Sequence, residues 1–300
     1  MSMSLEGLMR AAGLKKTYSD ETKYAEYIEK QGILNEKPYS PPRRILKKSH
    51  IRKAQADGMD YYVLRGGSGT VKKQILYLHG GAYIAQPTPL HWDFLLRLLE
   101  NLDAEITVPI YPKAPRHQFQ EAFEKVLKVY EEIITRTEPK EIVVMGDSAG
   151  GGFSLALAQL LQKKELPQPG NIILISPWLD ITMTNPEIPS LEKLDPMLGT
   201  QGLIEAGKAW AGGQAPDYYL LSPINGDIKG LGSISLFIGT HEILLPDARR
   251  FRDIAEEQGS HINYYEYEEM FHVFPAAPIP EAKKAIDEMV RIIKLDNSLR

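Results

Sequence analysis

The chain has 300 residues, enough for one large mixed domain with a substantial core. Its formal net charge of -4 comes from interspersed acids and bases, and its densest basic stretch (Arg43, Arg44, Lys47, Lys48) is short, so it reads as solvated surface and nucleic-acid binding is not expected. The absence of cysteine excludes disulfides, thiolate metal sites and a cysteine nucleophile.

The opening MSMSLEGLMRAAGLKK lacks a basic start followed by an apolar core, and no run reaches the roughly 18 apolar residues of a membrane span. The expectation is a cytoplasmic protein without signal peptide or membrane span. Tyr18, Tyr24, Tyr27 and Ile28 have the spacing of a short amphipathic helix. Residues 37–44, KPYSPPRR, form a proline-rich joint where neither helix nor strand is expected. Strand-like pieces at 50–54 and 61–64 flank Asp57-Gly58, a hairpin-turn signal. A short apolar run at 75–78 leads into HGGAY, and 104–108 is another strand candidate.

Phe119, Ala122, Phe123, Val126, Leu127, Tyr130 and Ile133 recur at helical spacing, which predicts a helix with one buried face. Residues 142–145 read as a strand ending in GDSAGG, and the nearly all-apolar 153–161 as a helix buried against a sheet. Further strands are expected at 172–175, 234–238 and 262–267, with helices over 247–257 and 281–293. This alternation predicts an α/β fold with a mostly parallel sheet covered on both faces. Residues 182–217 break the rhythm: they are rich in Pro and Gly, with one helix-like piece near 203–210. They are expected to lie over the sheet edge and, with the N-terminal helix, to form a lid. The organisation predicted is a helical cap segment over 1–45 and a main domain over 46–300, with a cap insertion at about 182–217.

Gly146-Asp147-Ser148-Ala149-Gly150 fits G-x-S-x-G between an apolar strand and an apolar helix, the context of a nucleophile elbow. The turn is too tight for side chains at the flanking glycines, and the helix after it directs N–H groups toward the site. The alternative is a glycine-rich loop of a nucleotide-binding fold. His79-Gly80-Gly81-Ala82-Tyr83 also sits at a strand end. Small residues there leave backbone N–H groups open to an oxyanion, and the N–H of Ala149 is a second donor.

A serine hydroxyl needs a proton acceptor, normally His. His79 belongs to the oxyanion segment, and His50, His91 and His117 precede the serine, against the chain order Ser, acid, His. His261 lies at the start of the last strand, the wrong end for the site. His272, in the loop after that strand, is the expected base. The acid should follow the strand at 234–238, where Glu242 and Asp247 compete; Asp247 reads as a helix N-cap, which favours Glu242. His241-Glu242 does not open a zinc helix, because Leu245 stands where a second His would be needed, and no other metal-ligand spacing appears.

Together HGGAY and GDSAGG resemble the motifs of the hormone-sensitive-lipase-like esterases of the α/β-hydrolase fold, which carry HGGG and GDSAGG. The resemblance extends through Tyr111-Pro112-Lys113-Ala114-Pro115, Ser176-Pro177-Trp178-Leu179-Asp180, Asp195-Pro196 and Phe271-His272-Val273-Phe274, from about residue 60 to the end. Ala82 departs from the third glycine, and Glu242 stands where the family usually has Asp. The resemblance implies hydrolysis of small, often short-acyl, carboxylic esters without a cofactor, through an acyl-enzyme. By position Ser148, Glu242 and His272 look like the triad, and Gly81, Ala82 and Ala149 like the oxyanion donors, with Gly80 giving clearance. Met197, Leu198, Leu203 and Trp210 of the lid are expected to line a small apolar pocket. Amide hydrolysis or acyl transfer on the same residues, or a non-catalytic receptor on the same fold, are the alternatives; a homodimer is left open.

Overall fold

The computed structural model describes residues 14–48, 50–66 and 69–295. Among them the chain builds one sheet of eight strands: β1 (His50–Ala56), β2 (Met59–Arg65), β3 (Lys73–Leu78), β4 (Ala104–Pro109), β5 (Ile142–Asp147), β6 (Asn171–Ile175), β7 (Ser233–His241) and β8 (Ile262–Phe271). The spatial order is β1-β2-β4-β3-β5-β6-β7-β8. β1 and β2 pair antiparallel, as do β2 and β4; every later pairing is parallel. The hairpin joining β1 to β2 turns on Asp57 and Gly58, both at positive φ (46° and 73°), as the Asp-Gly signal requires.

The described helices are α1 (Leu14–Tyr18), α2 (Glu21–Asn35), α3 (Arg43–Lys48), α4 (Pro89–Leu99), α5 (Phe119–Ile134), α6 (Ala149–Lys163), α7 (Ile188–Leu191), α8 (Thr200–Ala211), α9 (Leu245–Glu257) and α10 (Pro280–Lys294). α3 corrects the expected joint at 37–44: only 37–42 is irregular, and the chain turns helical directly after Pro41-Pro42, a pair that suits a helix start.

Alternate residues of each parallel strand feed opposite cores, as the two-residue pleat dictates. Leu76, Val144, Ile172 and Leu236 pack with α5, α6 and α9. Ile75, Val143, Ile173 and Phe237 pack with α4 and α10. Strands buried on both faces must be apolar throughout, which is why 142–145 and 172–175 show no alternation in sequence. No described helix is long and apolar enough to cross a membrane.

Two close approaches position the rest. α6 lies so near the segment after β6 that a Cβ on Gly152 would stand 2.1 Å from the Trp178 carbonyl oxygen. The end of α1 presses on α8: a Cβ on Gly202 would come within 2.7 Å of the Tyr18 ring. The aromatic core beneath α8 is continuous with the sheet through Tyr83 and Trp210, whose rings stack at 4.4 Å.

Candidate active site

Ser148 separates β5 from α6 in a conformation few L-residues adopt, φ 54° and ψ -123°. Such backbone costs on the order of 1–3 kcal/mol and persists only where its surroundings over-determine it. Here they do. The Ser148 N–H donates to the Ile175 carbonyl (2.8 Å), and its own carbonyl accepts from Gly151, Gly152 and Trp178. The glycines are obligatory: a Cβ on Gly146 would stand 2.2 Å from the Gly150 carbonyl oxygen, and one on Gly150 would stand 1.9 Å from that of Leu78.

The turn brings together residues from three strand ends. Ser148 Oγ lies 2.9 Å from His272 Nε2, and His272 Nδ1 lies 2.8 Å from Glu242 Oε2. Glu242 is fully buried and follows β7 directly, because a bulge at the end of that strand carries it to His241, beyond the expected 238. Its other oxygen accepts from the Ser176 hydroxyl and the Gly239 N–H, each at 2.8 Å. Ser176 in turn accepts from the Val273 N–H (3.0 Å), so one hydroxyl ties the Glu242 loop to the His272 loop. Burial alone would lower the His272 pKa; the hydrogen bond and charge of Glu242, with Asp195 and Asp147 farther off, overcome that and leave it raised.

The HGGAY segment runs beside the elbow. Gly81, Ala82 and Tyr83 all take positive φ, at 116°, 55° and 60°. The N–H groups of Gly81, Ala82 and Ala149 donate to no protein acceptor among the described residues. Gly80 differs: its N–H is taken by Asp147 Oδ1 (2.9 Å), and a Cβ on it would strike Asp147 Oδ2 at 2.3 Å. The segment is held from behind, where Tyr111 donates its hydroxyl to the His79 carbonyl and stacks on the His79 ring. Burial, with Lys113 and His91 nearby, keeps the His79 imidazole neutral, its pKa well below the usual value. Burial opposes the charge of Asp147, but the His91 imidazole beside it, with the Tyr77 hydroxyl and the Gly80 N–H, outweighs burial and holds its pKa below the usual carboxylate value.

A cavity of about 330 Å³ opens over Ser148 and His272, walled by apolar and aromatic side chains. Tyr18 and Tyr27 come from the N-terminal helices, Met197, Leu198 and Leu203 from the 182–217 segment, and Phe271 and Val273 from the His272 loop. No Lys or Arg lines it. Trp210, expected in this wall, is instead fully buried against Tyr83, since α8 turns that face to the sheet.

Three residues beyond the expected set organise the site. Ser176 bridges the Glu242 and His272 loops. Asp195 accepts from the Met197 and Leu198 N–H groups with one oxygen (2.8 Å each) and from that of Ile243 with the other (3.0 Å), joining the cavity wall to the Glu242 loop. His91 contacts Asp147 Oδ2 at 3.3 Å. His117 pairs with Glu121 on the surface, and His261 is exposed ahead of β8.

Asp247 is not the helix cap that the sequence suggested. Leu244 precedes the helix, α9 begins at Leu245 ahead of Pro246, and Asp247 lies inside the first turn. Its carboxylate accepts from Asn185 Nδ2 at 2.9 Å rather than from His272.

The family model described as alpha/beta hydrolase fold matches residues 75–276. An esterase of Acinetobacter venetianus is 31% identical over 219 residues, 72% of each chain. A candidate esterase from Staphylococcus aureus, known by its crystal structure, is 32% identical, with a TM-score of 0.90 over 95% of this chain and 96% of its own. Human hormone-sensitive lipase is 30% identical over 183 residues, which are 58% of this chain and 16% of that much longer one.

One consequence of the geometry concerns stability. Burial, with Asp180 adding to it against the Asn185 hydrogen bond, raises the Asp247 pKa from 3.8 to about 6. A carboxyl whose folded pKa lies above its unfolded one ionises first in the unfolded chain, so folding loses stability as pH rises from about 4 to about 6. Asp247→Asn removes that loss. Thermal unfolding of both proteins from about pH 4 to about pH 8 should show the variant gaining on the wild type as pH rises, then levelling. A difference independent of pH would contradict the assignment.

The match over most of the chain, the architecture and the esterase relatives agree: the chain belongs to the hormone-sensitive-lipase-like esterases of the α/β-hydrolase fold and is a hydrolase of carboxylic esters.

Proposed function

We propose that the chain hydrolyses short-acyl esters by two-step acyl transfer, with Ser148 as nucleophile, His272 as general base and Glu242 as the acid that orients it. The observation that carries this reading is the hydrogen-bonded chain Ser148–His272–Glu242, at 2.9 and 2.8 Å, opening onto an apolar cavity beside three unengaged amides.

In the first step His272 Nε2 takes the Ser148 proton as Oγ attacks the ester carbonyl. The carbonyl oxygen becomes anionic and is met by the N–H groups of Gly81, Ala82 and Ala149, which need no rearrangement to donate. Collapse expels the alkoxide, which leaves as the alcohol with the proton from His272. Water repeats the sequence on the acyl-enzyme and releases the acid. Glu242 fixes the tautomer with the proton on Nδ1 and stabilises the imidazolium in both halves. Ala82 serves as well as glycine because the donor is its backbone N–H. Gly80 gives clearance, since its own N–H is occupied by Asp147.

The N-terminal helices and the 182–217 segment act together as the cap in this scheme, since they share the cavity wall over Ser148. About 330 Å³ without a cationic side chain suits a neutral, compact acyl group. Esters with acyl chains of about two to six carbons should turn over faster than those of about twelve to sixteen. The opposite order in a chromogenic ester series would remove the short-acyl specificity and leave the mechanism standing.

Two further outcomes test the residues. Ser148→Ala should stay folded and lose on the order of 10³-fold or more in kcat, and Glu242→Gln about 10²–10⁴-fold, while Asp247→Asn stays within a few-fold. A large loss in Asp247→Asn with Glu242→Gln active would reassign the acid. The pH dependence has a definite sign. His272 must be neutral to accept a proton, and its pKa is raised above the usual 6.5. Thus kcat/KM should rise with pH through an apparent pKa above that value. A profile flat between about pH 5 and about pH 8 speaks against a His base.

A further inference from the structure

We infer that His91 is a positioning residue for the oxyanion-binding amides, acting through Asp147; this rests on the reading of Ser148 as nucleophile. His91 lies in the first turn of α4, and its ring faces two ways. Nδ1 receives the Thr88 N–H at 3.0 Å, with the Thr88 hydroxyl at 2.8 Å. A backbone N–H can only donate, so Nδ1 is bare and the ring proton is on Nε2. Nε2 stands 3.3 Å from Asp147 Oδ2.

Asp147 is the residue immediately before Ser148, and its other oxygen holds the Gly80 N–H at 2.9 Å and the Tyr77 hydroxyl. The carboxylate is 2% exposed, and the described residues bring no Lys or Arg against it. Its plane is set from two sides: Tyr77 from β3 and Gly80 from the loop after β3 donate to Oδ1, and His91 from α4 stands against Oδ2. Remove the His91 donor and Oδ2 loses its partner; a buried carboxylate then turns to find another. Turning takes Oδ1 off the Gly80 N–H, and Gly80 is the link that registers Gly81 and Ala82 against the elbow. Tyr111 and the Ala114 N–H hold the segment on its far side, through the His79 and Tyr83 carbonyls; the Gly80 N–H is its tie to Asp147 beside the elbow.

His91 has a second candidate role, as a cap for α4, and the two roles separate by side-chain length. In His91→Asn the carboxamide oxygen stands near the position of Nδ1 and can accept from Thr88, but nothing reaches Asp147. In His91→Gln the amide nitrogen stands near the position of Nε2 and can donate to Asp147. A positioning role predicts that His91→Asn melts like the wild type and loses on the order of 10²-fold in kcat with KM within about threefold, while His91→Gln keeps most of its kcat. A trifluoromethyl ketone inhibitor, whose adduct carries the oxyanion, should weaken in parallel with kcat in His91→Asn.

Asp147→Asn is the independent arm. It keeps the volume and the acceptor toward Gly80 but presents an N–H to the His91 N–H, and should lose kcat as His91→Asn does. Wild-type kcat in His91→Asn or in Asp147→Asn, or a loss in His91→Gln equal to that in His91→Asn, would overturn the inference. Ser148→Ala assayed alongside separates the two levels: if it remains active, the nucleophile reading fails first.

Discussion

The backbone at Ser148 is the constraint on which the site depends. A residue at φ 54° and ψ -123° projects its hydroxyl clear of the main chain, and nothing local favours that conformation. It is imposed by four backbone hydrogen bonds and by glycines at 146 and 150 that admit carbonyl oxygens where Cβ atoms would stand. The same squeeze places the first N–H of α6 and the end of β3 against each other. The Ser148 hydroxyl and the amides proposed as oxyanion donors are therefore set by one packing decision, and α6, buried along nearly its whole length, anchors it.

Around that turn the electrostatics are arranged by burial and pairing. Two carboxylates flank Ser148, Glu242 fully buried and Asp147 nearly so, and each is met by an imidazole and by further N–H or O–H donors. In such surroundings an unpaired charge is costly, so each carboxylate fixes the groups that satisfy it. For Glu242 those groups are His272, Ser176 and the Gly239 amide; for Asp147 they are His91, Tyr77 and the Gly80 amide. Asp195 does the same between the cavity wall and the Glu242 loop. The buried carboxylates thus join loops from separate strands into one unit.

Much of this was legible in sequence, for physical reasons that differ by element. Strands buried on both faces must be apolar throughout, so β3, β5, β6 and the start of β7 stand out as short apolar runs. The elbow and the HGGAY loop are legible because glycines are forced there by contacts under 3 Å. Glu242 and His272 are expected from the chain order Ser, acid, His and from their places after β7 and β8, and those loops bring the two side chains to 2.8 Å. What escaped is tertiary. No helix was expected at Pro89–Leu99, although Thr88-Pro89 and the apolar Trp92, Leu95, Leu98 and Leu99 carry the signal. His91, excluded as base by chain order, lines the cavity because that helix returns to the elbow. Asp247 has the composition of a cap but not the place of one, because the helix starts two residues earlier. Ser176 and Asp195 stand in segments that carry the family resemblance, but their links to the Glu242 loop span 66 and 48 residues and have no local signature.

The central claim is that Ser148 carries the acyl group between two half-reactions. Its most direct test is to mix the enzyme with p-nitrophenyl butyrate, quench in acid within the first turnover, and map the added mass by peptide sequencing. The account predicts a burst of p-nitrophenol and one butyryl group on Ser148, lost again when quenching is delayed past substrate exhaustion. Butyryl on another residue, or turnover with no acyl group on Ser148 in either the wild type or Glu242→Gln, would contradict the account.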